Sequence, residues 1–505
     1  MVPLHFFQTK IIPKIIQLQA SFYFSIPILI GIFLRLNGIS KNSIWYDESL
    51  TIFLTREPLI KMVSLLTNEL NPPLWEILEW FVVRILPASE TTYRLISFLC
   101  SFGTLIVSHK ILKELQVDRT RQFFALMILA ISPYQIWMSQ DARVYALMSF
   151  LYLLGFWFII KKNWLGLFAC CGLLIYSNSA AIFYFATLLI VGLILNPQNW
   201  ITLFRIGFGA MLLFSPWLAG SFLGHLSGSY FSGYNIPPVN SQRLIEQINY
   251  IFMIGLTSNP LIREILRLLN FLVILILLSS SVLYQILVKQ SKQTQPVNRS
   301  LLFLATLPLI LITLTAWVYQ NGHLILYRSF SPIAAPIILL LTVYTRTQLK
   351  LSTVLLFVLI VLNLSYHFIW SPQEKGGHLK EVIQESSIHD EENTVIFHAT
   401  ATSLLPFQYY LKDASHYLLE ADLPKWFLVE PLQQAFGLQK IKPEQIPSGN
   451  YWIVWAKDDH LPPFVDQIMG KMVDKSPLVG KIEYSQMATI FIFYVSQKSS
   501  FIDNP

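Results

Sequence analysis

Two adjacent carboxylates, Asp47 and Glu48, follow the first strongly apolar stretch of the chain in the run Trp45-Tyr46-Asp47-Glu48. Residues 22–36 just before them are almost wholly apolar, so the pair falls where hydrocarbon would meet water. Ionised groups are costly at that depth, and those that persist there usually carry function. A carboxylate can take the proton of an attacking hydroxyl or amine. Four further polar clusters fall at the ends of apolar runs: Glu69-Leu70-Asn71-Pro72-Pro73-Leu74-Trp75; Tyr93-Arg94; Ser132-Pro133-Tyr134 with Ser139-Gln140-Asp141-Ala142-Arg143-Val144-Tyr145-Ala146; and His323 through Tyr327-Arg328. Arginine suits a phosphate, because its planar guanidinium keeps its charge and bonds two oxygens at once. A base and anion-binding groups at one depth are what an enzyme acting on a lipid-linked, phosphate-bearing substrate requires.

Taken singly, each cluster also has a structural use. Asp47 and Glu48 can cap an interfacial helix, and Asp141 with Arg143 can form an ion pair at a helix start. Arg328 can extend to lipid headgroups, and Arg84, Arg263 and Arg267 read as interfacial anchors. Trp45, Trp75 and Trp137 fit an aromatic belt. His109, His225 and His378 have no metal-ligand spacing. The functional reading rests on the clusters occurring together on one face.

The elements that must position them are membrane helices. Of 505 residues, 54% are hydrophobic and 13% charged, against roughly a quarter charged in a soluble protein. The net charge of +7 points to topology rather than to nucleic acid, since the basic residues are scattered between apolar spans. Cys100, Cys170 and Cys171 lie inside apolar segments and form no disulfide or metal pattern. Lys10 and Lys14 precede an apolar run with no small-residue cleavage site, which predicts an uncleaved first span. Runs of about 20 apolar residues number about eleven, near 19–37, 91–112, 121–138, 144–161, 163–177, 179–196, 201–219, 263–288, 300–319, 324–344 and 350–369. Lys110, Lys113, Arg119, Arg121, Lys161, Lys162, Lys289, Lys292, Arg299, Arg346 and Lys350 alternate between spans so as to place the N-terminus in the cytoplasm. Loop 38–90, corner 138–143, loop 220–262 and turn 320–328 then share the outer face. Loop 38–90 contains amphipathic stretches at 48–55, 59–66 and 74–86, expected to lie in the interface. The sequence thus divides into a membrane domain over 1–370 and a small α/β domain over 371–505. In the latter, 394–397, 451–455, 481–484 and 489–494 read as strands and 404–411 and 463–472 as helices.

The order of these motifs resembles the GT-C class of glycosyltransferases, and more narrowly the family 39 group of protein O-mannosyltransferases and aminoarabinose lipid A transferases. The resemblance covers roughly 20–200 well and the Tyr327-Arg328 turn weakly. It implies a GT-C fold and transfer of a sugar from a polyprenyl-phosphate donor to a lipid, glycan or protein acceptor. The site would lie on the outer, periplasmic face of a bacterial inner membrane. It implies Asp47 as the base that deprotonates the acceptor, with Glu48 in support. Arg94, Arg143 and Arg328 would bind the donor phosphate, and Glu69, Asn71, Gln140, Asp141, Tyr145 and Tyr327 would line the substrate site. A divalent cation, if one is used, would fall to Asp47 and Glu69. The sequence departs from the family at two places: Asn71 stands where a histidine usually precedes Pro-Pro, and Tyr176-Ser177-Asn178 has asparagine in place of another histidine. Both losses weaken a metal site. Two other classes stay open: a transporter of lipid-linked sugar, which predicts charges buried in mid-span, and a membrane scaffold working through 371–505.

Overall fold

The computed structural model describes residues 12–67, 71–226, 239–240, 295–319, 326–344, 350–369, 379–386, 394–419, 430–442, 449–458, 478–485 and 488–495, with isolated positions between 244 and 279 and at 388, 445 and 446. Glu69, His323, most of the 263–288 run and the 463–472 helix lie outside the described residues.

In chain order the helices are α1 (Ile12–Leu36), α2 (Tyr46–Arg56), α3 (Leu59–Leu66), α4 (Leu74–Ile85), α5 (Glu90–Glu114), α6 (Arg119–Ile131) and α7 (Pro133–Ser139). They continue as α8 (Tyr145–Lys161), α9 (Trp164–Ile175), α10 (Ala181–Leu195), α11 (Trp200–Leu226), α12 (Gln295–Val318), α13 (Ser331–Tyr344) and α14 (Lys350–Ile369). The last are α15 (Leu379–Glu385), α16 (Ala401–Tyr410) and α17 (Glu430–Ala435). The strands are β1 (Val395–His398), β2 (Ser415–Leu419), β3 (Gln439–Ile441), β4 (Tyr451–Asp458), β5 (Leu478–Ser485) and β6 (Ala488–Val495).

The chain packs as two compact units. The first comprises Met1–Ile39, Arg94–Ser215 and Pro238–Ser371. Within it α1 runs along α6, α8 packs on α9 and α13, and α12 packs on α10 and α13. Among the described residues, Glu90–Glu114, Pro197–Leu223 and Ser300–Val318 are each long and apolar enough to cross a membrane, and α6 with α7 reach that length together across a 53° bend. Several expected spans are instead apolar helices of 10–17 residues, among them Tyr145–Lys161, Trp164–Ile175 and Ala181–Leu195. Turns interrupt the apolar runs. Lys162 closes α8 in a left-handed conformation with φ of 53°, and Pro133 lacks the N–H that would continue α6. Small residues allow the closest approach. A Cβ added at Gly31 would stand 3.2 Å from the Ala130 Cβ and 2.8 Å from Leu105 Cδ1, so glycine there lets α1 and α6 meet. Two buried tyrosines then tie helices together. Tyr152 donates to the Leu304 carbonyl at 2.9 Å, and Tyr184, with its ring edge-on to Tyr152, donates to Ser329 O at 2.5 Å.

The second unit comprises Ser40–Tyr93, Pro216–Pro237 and Pro372–Pro505. The stretch 40–93, which the sequence groups with the spans, therefore packs with the C-terminal segment. A six-stranded sheet of order β3-β2-β1-β4-β6-β5 organises this unit. β3, β2, β1 and β4 pair in parallel, and β6 runs antiparallel to both β4 and β5. Alternation sorts the strand residues by face. Ile396, Trp452, Val454, Ile490 and Ile492 join Leu379, Ile383 and Phe407 in one cluster, while Phe397, Tyr451, Ile453 and Val495 form another. The sequence reading located β1, β4, β5, β6 and α16. It missed β2, which begins with polar residues, and β3, which is too short for any periodicity to register. It also assigned 48–55 to the interface, whereas α2 is buried at Glu48, Ser49 and 51–55, because α4 and α16 both pack against it.

At the end of β1, His398 Nε2 lies 3.0 Å from His416 Nδ1 on β2, and His416 Nε2 lies 2.8 Å from the Leu411 carbonyl. That carbonyl only accepts, so His416 donates through Nε2 and receives the His398 proton at Nδ1. Burial lowers the pKa of His398 well below the usual histidine value, with the neighbouring His416 adding to it, and burial also lowers that of His416. A depressed histidine pKa contributes stability that is present above the unfolded value of about 6.5 and is lost as pH falls towards the folded value. The protection factors of the β1 and β2 amides in the full chain, measured by hydrogen exchange against the intrinsic rate at each pH, should fall between about pH 7.5 and 5.5. His416→Gln should flatten that dependence; an unchanged profile in the variant would dissociate the pair from it.

Candidate active site

A proline break and an arginine build the polar end of the first unit. Pro133 opens α7 with Ser132 as its N-cap, the Ser132 hydroxyl accepting from Gln135 N. Lacking an N–H, Pro133 cannot bond the Leu129 carbonyl, and the bend likewise withdraws the usual partner of Ala130 O. The fully buried Arg35 of α1 takes both. Its Nη2 donates to Leu129 O at 3.2 Å, and its Nη1 to Ala130 O at 2.8 Å and Gly31 O at 3.0 Å. Its Nε donates to Ser101 Oγ on α5 at 2.9 Å. The reverse contact comes from Gln140, at the end of α7, whose Nε2 donates to Arg35 O at 2.9 Å and Leu34 O at 3.2 Å. The end of α1 thus satisfies carbonyls at the end of α6, and the end of α7 satisfies carbonyls of α1. Gly38 lies under the Gln140 amide, where an added Cβ would come within 2.6 Å of Nε2.

The corner 140–144 is held from α5. The Ser97 hydroxyl lies 2.5 Å from Asp141 O and 3.1 Å from Arg143 O, and Arg143 N donates back to Asp141 O at 2.7 Å. Arg94, one turn before Ser97, is fully buried and donates from Nη1 to Ile39 O at 2.8 Å. Tyr145 then opens α8. Its carbonyl accepts from the Ser331 hydroxyl, the first residue of α13, at 3.2 Å. The Arg328 guanidinium, in the 3₁₀ turn Tyr327–Phe330 that leads into α13, sits 5.9 Å from the Tyr145 ring centre. So α8 and α13 begin side by side, with Arg143 two residues ahead of one and Arg328 three residues ahead of the other. Helix N-termini and guanidinium groups both favour an anion. Of the residues predicted from sequence, the first unit gathers Arg94, Gln140, Asp141, Arg143, Tyr145 and Arg328. For Tyr327 only the backbone is described.

The second unit carries Asp47, Glu48 and Asn71. Asp47 is half-buried in the first turn of α2. Glu48 is fully buried and its Oε2 accepts from Trp45 N at 3.4 Å, so it caps the helix it belongs to. Asn71 is half-buried just before Pro72-Pro73, which lead into α4. Trp45 packs against the sheet cluster of Trp452 and Phe407. Beside it, Ile44 N donates to the Tyr410 hydroxyl at 2.7 Å, and Tyr410 donates to Glu90 Oε1 at 2.6 Å. Lys380 Nζ stands 3.4 Å from Glu90 Oε2, and its backbone N donates to Ser43 Oγ at 3.0 Å. These bonds fix the chain at 43–48 and therefore the backbone under Asp47.

Two more buried carboxylates, Glu76 and Glu79, lie on α4, neither anticipated from sequence. Burial raises the Glu79 pKa well above the usual range, and the fields of Glu76 and Glu48 add to it. Among the described residues no group of three or more His, Cys, Asp or Glu side chains is placed to hold a metal ion.

No protein-family model matches this chain, and no curated protein matches it. Among solved structures it is similar to ArnT from Cupriavidus metallidurans in the apo state, with 10% sequence identity and a TM-score of 0.46 over 94% of this chain and 98% of that one. It is also similar to ArnT from the same organism bound to undecaprenyl phosphate, with 9% identity and a TM-score of 0.46 over 96% and 100%. At that level the likeness assigns no residue here a role.

Two outcomes follow from the second unit's geometry. Tyr410→Phe removes the hydroxyl between Ile44 N and Glu90 and should cost about 1–3 kcal/mol, read as faster exchange of the Ile44 amide; unchanged exchange would remove the bond from the account. A raised carboxyl pKa contributes stability below the unfolded value of about 4.3 and loses it as pH rises towards the folded value. Glu79→Gln should therefore raise the unfolding midpoint at about pH 8 and leave it unchanged at about pH 4. A gain of equal size at both would point to packing instead.

Proposed function

We propose that the chain is an inverting glycosyltransferase that moves a sugar from a polyprenyl-phosphate donor to an acceptor on the outer, periplasmic face of a bacterial inner membrane. The observation that carries this reading is the paired start of α8 and α13, with Arg143 and Arg328 ahead of them and Arg94 buried one turn from Ser97. Apolar helices suit a polyprenyl tail, and an anion-favouring helix start with arginines suits its phosphate. The ordered motifs from Trp45-Tyr46-Asp47-Glu48 to Arg143-Val144-Tyr145 support the same reading.

In this mechanism the acceptor oxygen or nitrogen attacks the anomeric carbon. The bond from that carbon to the phosphate oxygen breaks, and the polyprenyl phosphate leaves with the bonding electrons. Asp47 takes the acceptor proton, and Glu48 holds the start of α2 in place. Arg143 and Arg328 stabilise the charge that grows on the leaving phosphate, and the buried Arg94 adds a further cation on the donor phosphate. Gln140 and Asp141 hold the corner in shape, Tyr145 and Tyr327 line the donor end, and Glu69 and Asn71 meet the acceptor. The domain division proposed with it is a catalytic membrane part over 1–370 and an outer α/β part over 371–505.

The test is release of free polyprenyl phosphate from a panel of labelled polyprenyl-phosphate sugars, in proteoliposomes supplied with crude envelope acceptors. Asp47→Asn should lower turnover by a factor of about 10²–10⁴ with donor binding retained. The double variant Arg143→Ala and Arg328→Ala should lose donor binding while remaining folded. Full donor binding by that folded double variant would refute the phosphate role, and undiminished turnover in Asp47→Asn would refute the base.

A further inference from the structure

The second unit holds a cavity of about 370 Å³ lined by Thr55, Arg56, Val83, Arg84, Ala88, Tyr93, Gln408, Tyr409 and Lys412, a size at the lower end of small-molecule sites. Three of its lining residues are cations and none is a carboxylate. The nearby acid Glu57 is paired with Lys61 at 2.9 Å, and Glu90 is bonded by Tyr410 and Lys380. The two arginines are oriented by the unit itself. Arg56 stacks over Phe53 with its guanidinium 4.0 Å from the ring centre, and Arg84 over Trp80 at 4.5 Å. Arg84 Nη1 also donates to Thr55 O at 3.2 Å, and Lys412 Nζ stands 6.0 Å from the Tyr409 ring. Partial burial lowers the Arg56 pKa, against the opposing fields of Tyr93 and Tyr409. The Gln408 Oε1 atom is buried there without a hydrogen-bond partner.

Arg56 and Arg84 each stand in the last turn of a helix, where a cation offsets the helix dipole. That use does not account for Lys412 across the same cavity, nor for an unsatisfied side-chain amide beside it. Three cationic donors lining one cavity match a phosphate, and a side-chain carbonyl needing a donor matches a hydroxyl. From this arrangement we infer that the cavity is an anion site for a phosphate group carrying neighbouring hydroxyls, of the glycerol phosphate type, with Arg56, Arg84 and Lys412 on the phosphate and Gln408 on a hydroxyl. Such a group reaches the protein either as a soluble phosphorylated polyol or as a lipid headgroup. Phe81, Ile85 and Leu86, which flank Arg84 on and just past α4, are exposed apolar residues that suit the lipid source.

The cavity is lined by none of the residues assigned to the donor phosphate, and the inference does not depend on the transferase reading. The experiment uses the full chain carrying Arg143→Ala and Arg328→Ala, so that phosphate binding elsewhere is suppressed. In one arm, thermal unfolding in detergent is followed against glycerol 3-phosphate, with chloride at equal ionic strength as the control. In the other, the chain is placed in phosphatidylcholine nanodiscs with and without phosphatidylglycerol. A midpoint that rises with glycerol 3-phosphate marks a soluble ligand, and one that rises only with phosphatidylglycerol marks a headgroup. Lys412→Met, which loses only an aromatic contact among the described interactions, and Arg84→Gln should each weaken the response by about tenfold. No response to either probe, or an equal response in a folded Lys412→Met protein, would overturn the site. Neither arm measures sugar transfer, so failure here leaves the proposed activity standing, and the converse holds.

Discussion

A guanidinium among apolar helices must find acceptors, and carbonyls freed by a proline must find donors. Arg35 and Pro133 answer both demands at once. The break at Pro133 exposes the carbonyls of Leu129 and Ala130, and Arg35 bonds them while also holding Ser101. Gln140 returns the favour to the end of α1. The corner 140–144 has its position because of this exchange, and with it the start of α8. That clamp and the Ser97 bonds to Asp141 O and Arg143 O together set the first unit's polar corner.

The residues proposed for the chemistry also hold structure. Glu48 caps α2 from a buried position, Asp141 and Arg143 offer backbone carbonyls to Ser97, and Arg94 bonds Ile39 O. A rigid set of this kind is what electrostatic stabilisation needs, since dipoles already in place do not reorganise as charge develops. The half-buried Asp47 keeps access to solvent that its neighbour Glu48 lacks, which suits a base. The buried Glu79, by contrast, is pushed towards its neutral form.

In the second unit a mixed sheet does what a loop alone cannot. Residues 40–93 share a core with the C-terminal segment. They do so by packing α2 against α16 and Trp45 against the sheet, and by the Ile44–Tyr410–Glu90–Lys380 chain of bonds. The C-terminal segment is thereby a support for the stretch that contains the proposed base, and its basic cavity draws side chains from both segments.

Much of this was determined by the sequence itself. Apolar runs are long, so the helices of the first unit were legible, as were the short runs of β-branched and aromatic residues in β1, β4, β5 and β6. The motifs Trp45 to Glu48 and Ser139 to Ala146 announced themselves, because polar residues at the ends of apolar runs stand out in composition. What the sequence could not determine is where each run is cut, since that depends on turns such as Lys162 and on whether a freed carbonyl finds an Arg35. β2 and β3 exist because β1 pairs with β2 and β2 with β3, not because five or three residues favour a strand. α2 reads as amphipathic in isolation and is buried in the fold, because the partner that covers its second face is more than 300 residues away. Arg84 reads as a membrane anchor for the same reason. Its neighbours in sequence are apolar, and only tertiary packing places Arg56 and Lys412 around the same cavity.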